Sequence, residues 1–252
     1  MIALTRPVPT SFAAALCAAA PDEAIDVARA RSQHSAYRAA LAELGVSVTL
    51  LPGDDALPDS CFVEDTAVVA AGIALITRPG APSRQPETAA TAEALRTHFE
   101  LAYVNAPATL DGGDCMRVGN AIFVGRSART NAAGIARLAE VFEPRGMRVV
   151  AIEMPPAVLH LKCVCAPLGD DRITLADDSI PRAAFGDIHV VRVPAAESYA
   201  ANVVAIGNRV IAAAGFPRTH EALTKAGFSV LPLATTEFRK ADGALTCLSI
   251  VC

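Results

Sequence analysis

Long hydrophobic runs are missing. No apolar stretch in the 252 residues reaches the roughly 18 that a membrane span needs. Basic runs are missing too, and with a formal net charge of −4 a nucleic-acid surface is not expected. The start, Met1-Ile2-Ala3-Leu4-Thr5-Arg6-Pro7, lacks a basic segment followed by an apolar one, so no secretory signal is expected. Charged residues are only 19% against 52% hydrophobic, a balance that argues against disorder and for a large core. The seven cysteines are an odd number in a chain that is not small, which points to reduced thiols in a cytoplasm rather than a disulfide framework. What remains is a globular protein acting on a small molecule, with neither nucleic acid nor membrane as partner.

Local pattern supplies the organisation. A broken helical stripe from Ala24 to Leu44 stops at Gly45, and a strand, Val46–Leu51, is closed by Pro52. Next comes a polar stretch, Asp59 to Thr66, then a strand pair around Gly72, a helix from Glu87 to Phe99 and a strand before Pro107. The same order recurs three times. Its polar lead-ins are Asp111–Asp114, His160 and Tyr199–Asn202, and its turns are at Gly119-Asn120, Gly169-Asp170-Asp171 and Gly207-Asn208. Asn131 is placed to cap a helix to Phe142, and residues 219–226 form the helix of the last repeat. The strand-closing prolines stand at 52, 107, 155, 194 and 232, a period of about 40–50 residues. A leftover strand at 245–251 can pair with Ile2-Ala3-Leu4, making a fifth unit split across the chain ends. The expected architecture is α/β: a single domain over residues 1–252, built radially from five ββαβ-type units.

Radial repetition aims equivalent positions at one axis. The lead-in residues are Asp59, Glu64, Asp65, Asp111, Asp114, His160, Tyr199, Asn202 and Cys247. A thiol, an imidazole and several carboxylates are therefore expected in one cavity, a workable set for nucleophilic catalysis. A buried cysteine taken alone is more often packing than nucleophile. The surrounding acids raise a thiol pKa and suit a cationic ligand, and a planar guanidinium matches paired carboxylates. Arg84 and Arg129, on loops after two strand pairs, are placed to take a carboxylate at the ligand's other end. Phe62 is wall or core, and Asp114 caps a turn or joins the site. His34, His98, His189 and His220 read as surface residues, and Cys17, Cys61, Cys115, Cys163 and Cys165 as core or wall. A zinc site on His160 and Cys163 lacks the usual ligand spacing, and no metal or other cofactor is expected.

Seven stretches carry a family resemblance: Pro58–Asp65 (PDSCFVED), Thr77–Arg84 (TRPGAPSR), Asp111–Asp114 (DGGD), Gly125–Asn131 (GRSARTN), Leu159–Lys162 (LHLK), Glu197–Asn202 (ESYAAN) and Asp242–Cys247 (DGALTC). In that order and spacing the chain resembles the dimethylarginine dimethylaminohydrolases of the guanidine-modifying, or pentein, superfamily. The resemblance implies a five-bladed pseudo-symmetric α/β propeller and hydrolysis of Nω-methylated arginine to citrulline through a covalent thiouronium. It implies Cys247 as nucleophile, His160 as proton donor and then base, and Asp111 as the acid orienting it. Some bacterial relatives carry Glu at that last position. Asp65 would hold the guanidinium with Glu64 beside it, Asp59 the α-amino group, and Arg84 and Arg129 the α-carboxylate. Leu16 and the Ala241 carbonyl would supply main-chain or lid contacts. The rivals are an arginine deiminase-like hydrolase that releases ammonia, a non-catalytic propeller binding module and a purely structural interaction protein. A monomer and a homodimer are equally compatible with the sequence.

Overall fold

The computed structural model describes all 252 residues. Four units follow one another along the chain, each with three strands. Their strands are Ala67–Ala70, Ile73–Ile76 and Glu100–Tyr103; Cys115–Val118, Ala121–Arg126 and Arg148–Glu153; Cys165–Pro167, Arg172–Ala176 and His189–Val193; and Val204–Ile206, Arg209–Ala213 and Ser229–Leu233. The fifth sheet takes Ile250–Val251 from the end of the chain and Ile2–Thr5 and Ser47–Leu50 from its start. Every sheet repeats one pattern, in which the first strand pairs antiparallel with the second and the second parallel with the third. Pairing of Leu4 with Ile250 and Ala3 with Val251 joins the two ends. The architecture is the expected five-bladed α/β propeller.

A parallel pair needs a crossover, and helices supply it. They are Val27–Glu43, Thr88–Leu95, Ala132–Phe142 and Pro217–Lys225, while the third unit crosses with only a 3-10 turn at Arg182–Phe185. The Asp26 carboxylate caps the first by accepting the Arg29 N–H at 3.0 Å, so the helix begins three residues after the expected Ala24. Asn131 caps Ala132–Phe142 as expected, its Oδ1 accepting the Gly134 N–H at 2.9 Å. The largest apolar cluster packs Ala30, Tyr37 and Leu41 of the first helix with Phe12, Phe62 and Phe238, whose rings meet at 5.7–6.2 Å. No helix is long and apolar enough to cross a membrane.

Three expectations need correction. The terminal strand is only Ile250–Val251, because Thr246–Leu248 winds into a 3-10 turn and Asn202 Oδ1 takes the Thr246 N–H at 2.9 Å. His34 is not a surface residue; it is 3% exposed, its ring packed edge-on to Phe238. Cys17 is exposed rather than part of core or wall.

Candidate active site

Each unit's first strand is preceded by a 3-10 turn: Val63–Thr66, Gly112–Asp114, Leu161–Cys163, Ala195–Ala201 and Thr246–Leu248. These turns are the polar lead-ins of the sequence, and side-chain hydrogen bonds join them into a closed ring. Asp65 Oδ1 accepts the Gly113 N–H at 2.8 Å, and Asp114 Oδ1 accepts the Leu161 N–H at 3.0 Å. Asn202 Nδ2 donates to the Lys162 carbonyl at 2.8 Å and to Thr246 Oγ1 at 2.9 Å. Thr246 Oγ1 donates to Glu64 Oε2 at 2.8 Å, returning to the first turn. Asp114, left open between two roles, holds the turn that carries His160; its other oxygen accepts the Ser127 hydroxyl at 2.6 Å.

The ring brings Asp65, Asp111 and His160 together. His160 Nε2 lies 3.0 Å from Asp111 Oδ2, and its Nδ1 lies 4.0 Å from Asp65 Oδ1. Asp111 is fully buried and its Oδ1 accepts the Gly80 N–H at 2.7 Å, which fixes the carboxylate that orients the imidazole. Gly113 allows the approach. A Cβ there would stand 2.7 Å from Asp65 Oδ1 and 2.8 Å from His160 Nδ1, so no larger residue fits without displacing one of them. Sequence reasoning gave Gly80 and Gly113 no role; the signal was their position inside the two motifs.

Burial pushes the His160 pKa down, but the charges of Asp65, Asp114 and Asp111 and the Asp111 hydrogen bond outweigh it and raise the pKa to about 9. The imidazole is thus a cation at neutral pH. Burial also pushes Asp65 up, and the opposing pull of His160, Arg84 and the Gly113 N–H leaves it well below the usual carboxylate range. A raised histidine pKa contributes stability that is fully present below the unfolded value near 6.5 and is lost as pH rises through about 9. That difference is worth about 3 kcal/mol. The wild-type Tm therefore falls relative to that of His160→Gln as the pH is raised from 6.5 to 9. Parallel melting curves across that window check this, and a constant Tm difference contradicts it.

Cys247 sits in the middle of the Thr246–Leu248 turn and is partly accessible. Burial, then the charges of Glu64 and Asp65, push its thiol pKa well above the ordinary value. Asp65 thus acts on both Cys247 and His160. Asp65, Asp111 and His160 also offer donor atoms within 4.8 Å of one another, a spacing a metal ion can use. As ligands they are compromised, since His160 is charged and Asp65 already accepts from Arg84 and Gly113.

The remaining residues divide. Arg84 is buried, with Nη1 on Asp65 Oδ2 at 2.5 Å, Nη2 on the Phe62 carbonyl at 2.9 Å and on Glu87 at 2.8 Å, and Nε also on Glu87. Of a guanidinium's five N–H groups, one on Nη1 is left for a ligand. Arg129 is freer: Nη1 stands 3.6 Å from Asp111 Oδ2. Asp59 is buried within reach of the charges of Arg84, Arg129 and Asp65, and burial raises its pKa. Its Oδ1 accepts the Leu16 N–H at 2.9 Å, which ties the exposed Leu16 segment to Asp59. Ala241 is buried behind Phe62, and Phe62 is both core and neighbour of the Asp242-Gly243 turn, where a Cβ on Gly243 would meet its ring at 2.2 Å.

Glu64, expected at the ligand beside Asp65, also braces the ring of turns. Its Oε1 takes Lys162 Nζ at 2.5 Å and its Oε2 takes the Thr246 hydroxyl, one donor on each oxygen as at Asp65. The pair borders an axial cavity of about 460 Å³ that runs between the units' first strands, and Asp65, Asp111, His160 and Cys247 do not line it. Lys162 was the residue sequence reasoning missed here.

The family profile described as N,N dimethylarginine dimethylhydrolase, eukaryotic, matches residues 14–213. The N(G),N(G)-dimethylarginine dimethylaminohydrolase of Pseudomonas aeruginosa is 39% identical over 89% of this chain and 89% of its own. That of Streptomyces coelicolor is 41% identical over 90% of this chain and 88% of its own. A structure of the Pseudomonas enzyme, a cysteine-to-serine variant complexed with citrulline, superposes with TM-score 0.94 at 36% identity over 98% of this chain and 97% of that one. The N-terminal domain of ArgZ, a cyanobacterial arginine dihydrolase, shares the fold at TM-score 0.87 and 19% identity over 98% of this chain and 96% of that one. Sequence, fold and the ring of acids around a histidine and a cysteine agree: the chain belongs to the dimethylarginine dimethylaminohydrolase family of hydrolases.

Proposed function

We propose that the chain hydrolyses Nω-methylated arginine, dimethylarginine or monomethylarginine, to citrulline and dimethylamine or methylamine. The observation that carries this reading is the charged His160, held by Asp111 beside Asp65 and within the same cluster of acids as Cys247. The raised thiol pKa supplies the logic of turnover: a docking guanidinium cation offsets the nearby carboxylates, and Cys247 gives up its proton to solvent. Its thiolate attacks the guanidinium carbon, forming a C–S bond. His160, with Nε2 on Asp111, delivers a proton from Nδ1 to the departing amine as the C–N bond breaks. Neutral His160 then takes a proton from water, whose oxygen adds to the thiouronium carbon. Collapse breaks the C–S bond and releases the ureido product, and the hydroxyl proton passes to the departing Cys247 thiolate, restoring the thiol.

In this reading Asp65 holds the guanidinium, Asp59 the α-amino group, and Arg129 with the last Arg84 N–H the α-carboxylate. Leu16 and the Ala241 carbonyl flank the ligand, and Glu64 stands beside Asp65 at it. All these residues come from one chain, so a monomer or a homodimer can work, and we treat residues 1–252 as a single propeller domain. The seven cysteines are all unpaired, which suits a reducing cytoplasm.

The test is product analysis with arginine, monomethylarginine, asymmetric dimethylarginine and agmatine, alongside mass spectrometry of quenched enzyme. Citrulline with dimethylamine, and a substrate-derived adduct lost in Cys247→Ser, is the expected result. Ammonia from arginine with methylated forms inert would instead establish the deiminase reading.

A further inference from the structure

The helix Val27–Glu43 borders a second cavity of about 430 Å³, open to solvent and lined by Pro7–Pro9, Arg31, His34, Arg38, Gly53 and Asp55. None of these residues belongs to the catalytic set. Arg31, His34 and Arg38 recur at the spacing of one helix face, so the helix lines the cavity with two guanidinium groups and an imidazole.

Their hydrogen bonding is incomplete. His34 is 3% exposed, yet its Nε2 is buried with no partner in the protein, and so is Arg38 Nε. Buried polar atoms without partners are uncommon in native proteins, and each calls for a partner from outside the chain, a water or a bound group. Arg31 donates Nε to the Val8 carbonyl at 3.1 Å, which leaves its terminal nitrogens for another acceptor. The one acid in the wall, Asp55, already accepts the Thr10 N–H at 2.6 Å. Burial, and then the charge of Arg38, lowers the His34 pKa to about 4, so the ring is uncharged at neutral pH. Two guanidinium charges then face a single carboxylate, and the cavity is net positive. A cation is disfavoured, and an apolar ligand would leave the buried donors unmet.

We propose that this cavity is a binding site for an oxyanion group, phosphate or carboxylate, gripped by Arg31 and Arg38 with a hydrogen bond from His34 Nε2. Guanidinium groups bind both oxyanions through paired N–H donors, so the chemistry is shared and experiment separates the sources.

The full-length protein, labelled with 15N-histidine, is titrated separately with sodium phosphate and sodium acetate into the tens of millimolar while the His34 ring resonances are followed. A saturable shift with either anion is the expected result. Response to phosphate alone identifies a phosphoryl ligand, to acetate alone a carboxylate, and to both a general oxyanion site. Arg38→Gln should weaken the binding at least about tenfold, the loss of a charge-assisted bond. Arg31→Gln provides a second reading should the first variant fold poorly. Arg129→Gln must leave the affinity unchanged, which separates this cavity from the active site. No saturable shift with either anion overturns the proposal, as does an affinity that neither Arg31→Gln nor Arg38→Gln alters.

Discussion

His160→Gln lowers kcat about 10²–10⁴-fold with folding intact, the range a positioned acid and base contributes. The amide is close in size to the imidazole and can still donate to Asp111 Oδ2, now 3.0 Å from Nε2, so the ring of turns survives. What is lost is a proton at Nδ1. Dimethylamine cannot leave as an anion, so the first C–N cleavage stalls. A substrate whose leaving group is a stable anion, such as a thiolate, does not need that proton. With an S-alkyl thiocitrulline the variant should form the Cys247 adduct at a rate close to wild type and then retain it, because no base activates water. Mass spectrometry of a time course reads both halves. A variant that keeps most of its turnover on dimethylarginine, or that releases the adduct at the wild-type rate, refutes the two roles assigned to His160.

The same geometry explains why the site is built from acids around a thiol. Asp65 is shared: it lowers the energy of charged His160, opposes ionisation of Cys247 and is itself steadied by Arg84 and the Gly113 N–H. With the roles proposed above, the free enzyme keeps the acid charged and the nucleophile capped. A cationic substrate reverses only the second effect. Reactivity is thereby tied to the ligand's charge, and a neutral electrophile meets a thiol rather than a thiolate.

Much of this was legible in the sequence because the propeller repeats its punctuation. Gly72, Gly119, Gly169 and Gly207 adopt the positive φ their turns require, and the strands they connect fall close to where the pattern places them, except that the strand expected over 161–167 is only Cys165–Pro167, Leu161–Cys163 being a 3-10 turn. Pairing of Ile2–Thr5 with the last strand was also readable, since one unit lacked a partner. Cys247, His160 and the acids around them follow from the assumption that equivalent lead-ins face one axis, whereas the choice of Asp111 among those acids follows from the family resemblance. The lead-ins themselves were misread in shape. Three-residue turns such as Thr246–Leu248 have no periodicity to detect, so Cys247 was assigned to a strand. Partners far apart in sequence were equally invisible: Glu64 bonds Lys162 and Thr246, and Arg84 has its donors on Asp65, Glu87 and Phe62. His34 reads as a surface residue because it stands singly on a helix, whereas Phe238 from the far end of the chain packs against its ring.

Lys162→Met should destabilise the protein by about 3–5 kcal/mol, the cost of leaving one partner of a buried ion pair alone. Lys162 and Glu64 are both buried where the ring of turns meets the axial cavity, with Nζ and Oε1 at 2.5 Å. Burial raises the Glu64 pKa and the lysine opposes the rise, so removing the lysine lets Glu64 take up a proton closer to neutrality. The variant's stability then falls as pH rises, because ionising Glu64 has no compensating charge. The double variant Glu64→Gln/Lys162→Met removes both charges and keeps an acceptor for the Thr246 hydroxyl. It should recover most of the loss, since replacing a whole buried pair is often close to neutral. Denaturant unfolding of the wild type, Lys162→Met, Glu64→Gln and the double variant gives the coupling directly. Equal losses in the single and double variants would mean that Lys162 supports the ring by its bulk and not by its charge.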